Sequence, residues 1–351
     1  MLARNGVFSI KAYVVAFTIA LAVAYFITPH IKRFAIKVGA LDAPDARKVH
    51  TSPIPRMGGL AIYLGFVLAV LASMHVSRDV LGLLLGGTVI LIVGIIDDLM
   101  QLPAKVKLLG QILAAIVLVM FNIRIEWLTN PFGDMVYLNY LSIPVTILWV
   151  VSLTNTVNLI DGLDGLAAGV STIASIAIML VAVELNFWVV AVLTAALAGS
   201  ALGFLQHNFN PAKIFMGDTG SMFLGYMLAA VSILGTVKSA ATIALVVPIV
   251  ALGLPIMDTA FAIIRRYSSG HPIFEPDKGH LHHRLLALGL TQKQAVLLMY
   301  IISGCLGLSA IALTEVNQAY GVMIVLLLLV LAFLGAKKIG VLKSPDSVKS
   351  H

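Results

Sequence analysis

The chain has 351 residues, of which 60% are hydrophobic and 11% charged, with a formal net charge of +7. Soluble domains usually carry about 25% charged residues, so this composition excludes an ordinary soluble domain and indicates an all-α, polytopic integral membrane protein. The apolar runs are continuous and rich in Leu, Ile, Val and Ala, which excludes the short alternating segments of a membrane β-barrel.

An apolar run of about 20 residues crosses the hydrocarbon core as a helix. Runs of this kind predict eleven spans, at 12–31, 57–75, 80–96, 107–122, 141–154, 163–183, 187–206, 219–236, 240–264, 295–313 and 318–336. The first follows Arg4 and Lys11 like a signal peptide. It is too long, lacks a small-residue cleavage site and runs into Pro29-His30-Ile31-Lys32-Arg33, so it reads as a retained span. Of the 23 Lys and Arg residues, 18 fall in segments 32–56, 97–107, 207–218, 265–294 and 337–351, and 5 fall on the other side. The positive-inside rule then predicts an N-terminus outside and a C-terminus in the cytoplasm. It also accounts for the net charge without nucleic acid.

Smaller features follow in order. Gly82-x-x-x-Gly86 and Gly199-x-x-x-Gly203 permit close helix contacts and are weak signals for a homodimer. Segment 123–140, with Trp127, Pro131, Gly133, Tyr137 and Tyr140, predicts an interfacial hairpin outside. Pro248, Gly253 and Pro255 predict a bent or broken ninth span. Thr291-Gln-Lys-Gln294 marks a helix start. Cys305 is alone, so neither an internal disulfide nor a thiolate metal site is available. Residues 1–336 are expected to form one transmembrane catalytic domain, with a flexible cytoplasmic tail at 337–351.

The chemistry-bearing residues all land on the predicted cytoplasmic side, although the topology was read from lysine and arginine alone. Asp97 and Asp98 end the third span, where two acids oppose the helix macrodipole and call for a cation; Lys105 and Lys107 start the next. Asn155-Thr-Val-Asn-Leu-Ile-Asp-Gly-Leu-Asp164 places Asp161 and Asp164 three apart, which predicts one helix face. Asp218, in Met216-Gly-Asp-Thr-Gly220, is expected at a helix N-terminus, where a carboxylate can hold Mg²⁺ while free N–H groups meet phosphate. His280-Leu-His-His283 lacks the spacing of familiar zinc motifs. Beside Arg265, Arg266, Lys278 and Arg284 it fits phosphate better. Lys48, His50 and Arg56 add basic groups from the first loop, and Asp258 is expected to pair with a basic residue. Neither G-x-x-x-x-G-K-[ST] nor G-x-G-x-x-G is present, so ATP hydrolysis and a dinucleotide fold lack support.

Together, Asp97-Asp98, Asn158-Leu-Ile-Asp-Gly-Leu-Asp164, Phe215-Met-Gly-Asp-Thr-Gly220 and His280-Leu-His-His-Arg284 resemble the polyprenyl-phosphate N-acetylhexosamine-1-phosphate transferases, in order and over nearly the whole chain. Leucine interrupts the histidine run and Arg284 follows it. That favours the branch acting on UDP-GlcNAc over the branch transferring phospho-MurNAc-pentapeptide. The resemblance implies that UDP-GlcNAc and undecaprenyl phosphate give undecaprenyl-diphospho-GlcNAc and UMP, with Mg²⁺ (or Mn²⁺), at the cytoplasmic face of a bacterial inner membrane. In that reading Asp218 is the metal ligand. Asp97 or Asp98 acts on the lipid phosphate and Lys107 binds it. Asn158, Asp161, Asp164 and Phe215 hold the uridine side, with Asn208 in the same substrate-binding set. His280, His282, His283 and Arg284 bind diphosphate or sugar, assisted by Lys48 and Arg56. An ion-coupled transporter is the rival from another class, but it would carry ionisable groups near the midplane and inverted repeats. A CDP-alcohol phosphotransferase would need an arginine where Asp164-Gly-Leu-Ala-Ala-Gly169 has none.

Overall fold

The computed structural model describes residues 2–42, 53–128, 136–237, 246–268, 270 and 279–340. Lipid offers no partner to backbone amides, so an apolar run must satisfy them internally. The runs do so as helices: α1 (Leu2–Val38), α2 (Gly59–Ser73), α3 (Arg78–Met100), α4 (Ala104–Met120), α5 (Ser142–Ile160), α6 (Leu166–Glu184), α7 (Trp188–Asn208), α8 (Gly217–Val237), α9 (Val246–Ala251), α10 (Gly253–Ser268), α11 (Leu281–Ala287), α12 (Gln292–Glu315) and α13 (Gln318–Ile339). Among the described residues, eight helices are long and apolar enough to cross a membrane: α1, α3, α5, α6, α7, α8, α12 and α13. The protein is an all-α polytopic membrane protein.

Local signals set the helix ends. Ser77 accepts from the Val80 amide and starts α3. Thr291 and Gln294 form a reciprocal capping box at α12. Asn317 caps α13 through the Tyr320 amide, and Gly340 closes it at φ 80°. Pro255 has no N–H for the carbonyl of Ala251, and the expected bend in the ninth span is a break at Leu252 between α9 and α10.

Several boundaries differ from expectation because hydrogen bonding carries helices past the end of their apolar runs. The first helix continues through Pro29 to Val38 instead of stopping at 31. The last reaches Ile339, so Lys337 and Lys338 lie in its final turn; residues 341–351 are outside the described residues. Helix α5 runs to Ile160, and Asp161–Gly165 is a turn. Asp161 and Asp164 therefore do not share a helix face.

Helix α8 is the axis of the bundle: 89% of its apolar window is buried, against 6% for α13. Small residues let neighbours approach it, as expected where packing rather than hydrophobicity draws helices together. A Cβ on Gly94 of α3 would lie 2.5 Å from Thr219 Cα. One on Gly225 would lie 2.7 Å from the Leu153 carbonyl of α5. Gly82 and Gly86 pack on Phe121 and Tyr226, and Gly199 and Gly203 on the α1 carbonyls of Phe17 and Leu21. Both Gly-x-x-x-Gly pairs are thus used within one chain. Two short antiparallel hairpins complete the structure, β1 (Leu41–Asp42) with β2 (Ile54–Pro55) and β3 (Trp127–Leu128) with β4 (Val136–Tyr137). The second lies in the segment expected as a hairpin, with the Trp127 and Tyr137 rings 4.8 Å apart.

Candidate active site

Helix ends from distant parts of the chain converge at one end of the bundle. The last turn of α3 delivers Asp97 and Asp98, and the first turn of α4 delivers Lys107. The start of α8 delivers Asp218. One ligand oxygen from each of the three acids lies within 4.8 Å of the others, the metal-like cluster found among the described residues. Lys107 Nζ bridges two of them, 2.9 Å from Asp218 Oδ2 and 3.5 Å from Asp97 Oδ2.

The adjacent acids do different work. Asp98 is the N-terminal cap of α8. Its Oδ1 accepts from the Asp218 amide at 3.0 Å, and its Oδ2 accepts from the Thr219 amide at 3.1 Å and the Thr219 hydroxyl at 2.5 Å. A carboxylate at a helix N-terminus meets both free donors and a favourable dipole. Gly217 sits beside it at φ 70°, and any Cβ there would collide with the Asp98 carboxylate. The α8 N–H groups expected to meet a ligand phosphate are therefore occupied by the protein's own anion. Asp97 is less engaged: Oδ1 accepts from the Leu102 amide at 2.8 Å and Oδ2 faces Lys107.

With all three acids ionised, three carboxylates and one ammonium would sum to two negative charges, which a divalent cation would balance. A carboxylate has about four acceptor sites. Asp98 gives three to α8, while Asp97 and Asp218 keep more of theirs. An all-oxygen set with room for water and phosphate suits Mg²⁺-type chemistry, so the residues fit a hard divalent metal held chiefly by Asp218 and Asp97.

The α5–α6 turn lies next to this junction. Asp164 faces away from it: Oδ2 accepts from the Asn210 side chain and the Ala212 amide, both at 3.0 Å. Asn208, which is buried, ties the Gly165 amide to the Ile214 carbonyl. Asn158 donates to Ser221 Oγ at 2.8 Å. Asp161 has no hydrogen-bond donor among the described residues; burial, then the charges of Asp218, Asp98 and Asp164, push its carboxyl up to about 8.

Helix α11 lies against the α5–α6 turn. His280, His282 and Arg284 are buried, and a Cβ on Gly162 would lie 2.5 Å from His282 Nε2. The imidazoles of His280 and His282 are parallel at 5.8 Å, and His283 lies 4.2 Å from His282. Burial and the neighbouring His283 hold His282 down at about 3, so it is neutral near pH 7. Its Nδ1 is buried with no partner among the described residues. Phe215 is part-buried, its backbone paired with Pro55 and Gly58. Arg56 lies 3.8 Å from Asp42. Lys48, His50 and Lys278 lie outside the described residues.

Three contacts were not foreseen from the sequence: Asn210 with Asp164, Tyr300 hydroxyl with the Gly165 carbonyl at 2.6 Å, and Gln111 with Asn155. The basic residue expected opposite Asp258 is His280, as an acid inside a span is costly unless paired.

Residues 80–236 match the family described as glycosyl transferase family 4. The chain is 44% identical over 319 residues to a probable undecaprenyl-phosphate N-acetylglucosaminyl 1-phosphate transferase of Bacillus subtilis (strain 168), covering 90% of this chain and 89% of that one. It is 38% identical over 322 residues to a decaprenyl-phosphate N-acetylglucosaminephosphotransferase of Mycobacterium tuberculosis (strain ATCC 25618 / H37Rv), covering 83% and 80%. Identity is 32% over 311 residues, covering 84% and 95%, to a phospho-N-acetylmuramoyl-pentapeptide-transferase of Caldanaerobacter subterraneus.

Proposed function

The chain belongs to glycosyl transferase family 4, and from that premise we propose that it transfers GlcNAc-1-phosphate from UDP-GlcNAc to undecaprenyl phosphate, giving undecaprenyl-diphospho-GlcNAc and UMP. The observation that carries this reading is the junction of Asp97, Asp218 and Lys107 beside Asp161, which has no donor among the described residues, and a buried imidazole cluster. The greater identity to GlcNAc-phosphate transferases than to the pentapeptide transferase, at 44% and 38% against 32%, supports the branch.

In the proposed reaction an oxygen of the lipid phosphate attacks the β-phosphorus of the sugar nucleotide in line. The new P–O bond forms as the bond to the bridging oxygen breaks, and that oxygen leaves on UMP. Attack of one anion on another is slow unless charge is offset and the groups are aligned. Bound Mg²⁺, with Mn²⁺ as a substitute, would offset the charge of the diphosphate and of departing UMP. Asp218 and Asp97 would hold it, and Lys107 would hold the lipid phosphate. Asp161 and Asn158 would face the nucleotide, with Phe215 against uracil, and His282, His283 and Arg284 would meet diphosphate or sugar. Asp164 and Asn208 would act by holding the turn and the following loop in place. A covalent phospho-enzyme at Asp98 fits poorly, because its oxygens are engaged by three α8 donors.

We place the site at the cytoplasmic face of a bacterial inner membrane. The placement takes α2, α4 and the α9–α10 pair as crossings beside the eight long apolar helices, and rests on the 18 to 5 distribution of basic residues. The test uses purified protein with undecaprenyl phosphate, Mg²⁺ and either UDP-GlcNAc or UDP-MurNAc-pentapeptide. UMP and lipid-linked product are expected from UDP-GlcNAc alone, lost with EDTA and reduced by roughly 10³-fold in Asp218→Asn. Product only from the pentapeptide substrate would move the chain to the other branch, and retention of configuration at phosphorus would refute direct attack.

A further inference from the structure

Asp258 is a buried acid inside a span that the proposed chemistry leaves unused. It is 3% exposed, at the start of α10 just past the break with α9. Both its oxygens are committed to the histidine cluster. Oδ2 lies 2.9 Å from His280 Nδ1, and Oδ1 accepts from the Leu281 amide at 2.7 Å. The second contact caps α11, and the first fixes the His280 ring. His280 is 6% exposed and parallel to His282, and His282 in turn lies against Gly162 in the Asp161–Asp164 turn.

A carboxylate only accepts hydrogen bonds, so the hydrogen between Asp258 and His280 must sit on Nδ1. In the neutral imidazole, Nε2 is then the acceptor. The partner of one ring nitrogen sets the chemistry of the other. We infer that Asp258 is a positioning residue: through its two oxygens it fixes both the start of α11 and the Nδ1–H form of His280, and so presents the imidazole cluster to the nucleotide-sugar side of the site. The inference rests on the proposed function for its substrate, but not for its chemistry at the ring.

Asp258→Asn separates the two contacts. The amide oxygen can still accept from the Leu281 amide, which retains the cap. The amide NH₂ then faces Nδ1 and forces the hydrogen onto Nε2. Nitrogen NMR of [¹⁵N]histidine-labelled protein in detergent, with the His280 signals identified by their loss in His280→Gln, reads the ring directly. Nδ1 is expected to be the protonated nitrogen in the wild-type chain, and Nε2 in Asp258→Asn. Steady-state kinetics should then show kcat/KM for UDP-GlcNAc down about 10- to 100-fold, the usual range for losing a hydrogen-bonded partner behind a functional histidine. KM for the lipid phosphate should stay within about twofold. The loss should not add to that of His280→Gln in the double variant, because Asp258 acts through the ring. Asp258→Glu should recover part of the activity. Unchanged kcat/KM in Asp258→Asn, an unaltered His280 spectrum, or full additivity with His280→Gln would each overturn the inference. If the wild-type protein makes no product from UDP-GlcNAc, the proposed function fails, and the nitrogen spectra still decide the role of Asp258.

Discussion

Asp98 at the α3–α8 junction and Asp161 in the α5–α6 turn belong to the same end of the bundle and both feel the charge of Asp218, yet their hydrogen bonding is opposite. Asp98 receives three donors from the start of α8. Asp161 receives none from the described residues, and its carboxyl is pushed up to about 8. A buried carboxyl group with three donors is part of the architecture, because those donors are the free end of α8. A carboxylate left without donors is costly to the protein alone and becomes favourable when a ligand supplies a cation or a hydrogen bond. The junction closes on itself, and the proposed function leaves the turn to be completed by a ligand.

The largest expected effect comes from breaking the junction. Asp98→Ala orphans the Asp218 and Thr219 amides and the Thr219 hydroxyl. Loss of a cap costs about 0.5–2 kcal/mol, and more here because buried donors are left unpaired, at about 1–3 kcal/mol for each such group. The expected outcome is a thermal midpoint several degrees below wild type, with activity near background and weakened binding of Mn²⁺ by calorimetry. Gly217→Ala should resemble it from the other side, since the new methyl meets the Asp98 carboxylate and φ 70° strains a non-glycine residue. Wild-type stability in both variants, with activity alone lost, would show that Asp98 serves the reaction directly rather than through α8.

The turn should respond to pH instead. In an unfolded chain Asp161 titrates near the ordinary carboxylate value of about 3.9, while in the folded, metal-free protein it titrates at about 8. Between these values the folded state holds a proton that the unfolded state has lost. Its contribution to stability is complete below about pH 4 and is lost as pH rises toward 8. Midpoints of metal-free protein in detergent should therefore fall from pH 5 to pH 8, and Asp161→Asn should reduce that fall. Added UDP-GlcNAc with Mg²⁺ should restore wild type at pH 8 more than Asp161→Asn. An equal fall in both proteins would mean that Asp161 is not the group left for the ligand.

Much of this contrast was legible in the sequence, for reasons that also mark where legibility stopped. Continuous apolar runs and the breakers Pro248, Gly253 and Pro255 placed the helices, because lipid leaves helix as the one way for such runs to satisfy their amides. Lysine and arginine counts brought Asp97, Asp98, Asp161, Asp164, Asp218 and the histidines to one end. The direction in which each side chain turns was not legible. Asp97 and Asp98 are neighbours in sequence, but α3 aims one at Lys107 and the other at α8, and only the crossing of α3 and α8 at Gly94 decides which. Asp161 and Asp164 have helical spacing in a stretch that is a turn, because α5 ends at Ile160 and α6 begins only after Gly165, at φ 80°. Asp258 stood out as an acid within a span, but its partner lies 22 residues away in sequence, beyond the rest of α10.

The smallest effect tests how far the turn's support extends. The capping box of Thr291 and Gln294 fixes the start of α12. The next residue, Gln292, accepts from the Asn210 side chain at 2.8 Å, and the same amide donates to Asp164. Farther along α12, Tyr300 holds the Gly165 carbonyl. Thr291→Ala removes an exposed cap worth about 1 kcal/mol. Tyr300 and the Ala212 amide keep their hold on the turn, so the expected result is a midpoint lower by a few degrees and kcat/KM within about twofold of wild type. A tenfold loss of activity at that small loss of stability would mean that the turn depends on α12 for its register. The division would then be between a turn held at a distance and a junction held by its own two helices, rather than between a closed junction and an open turn.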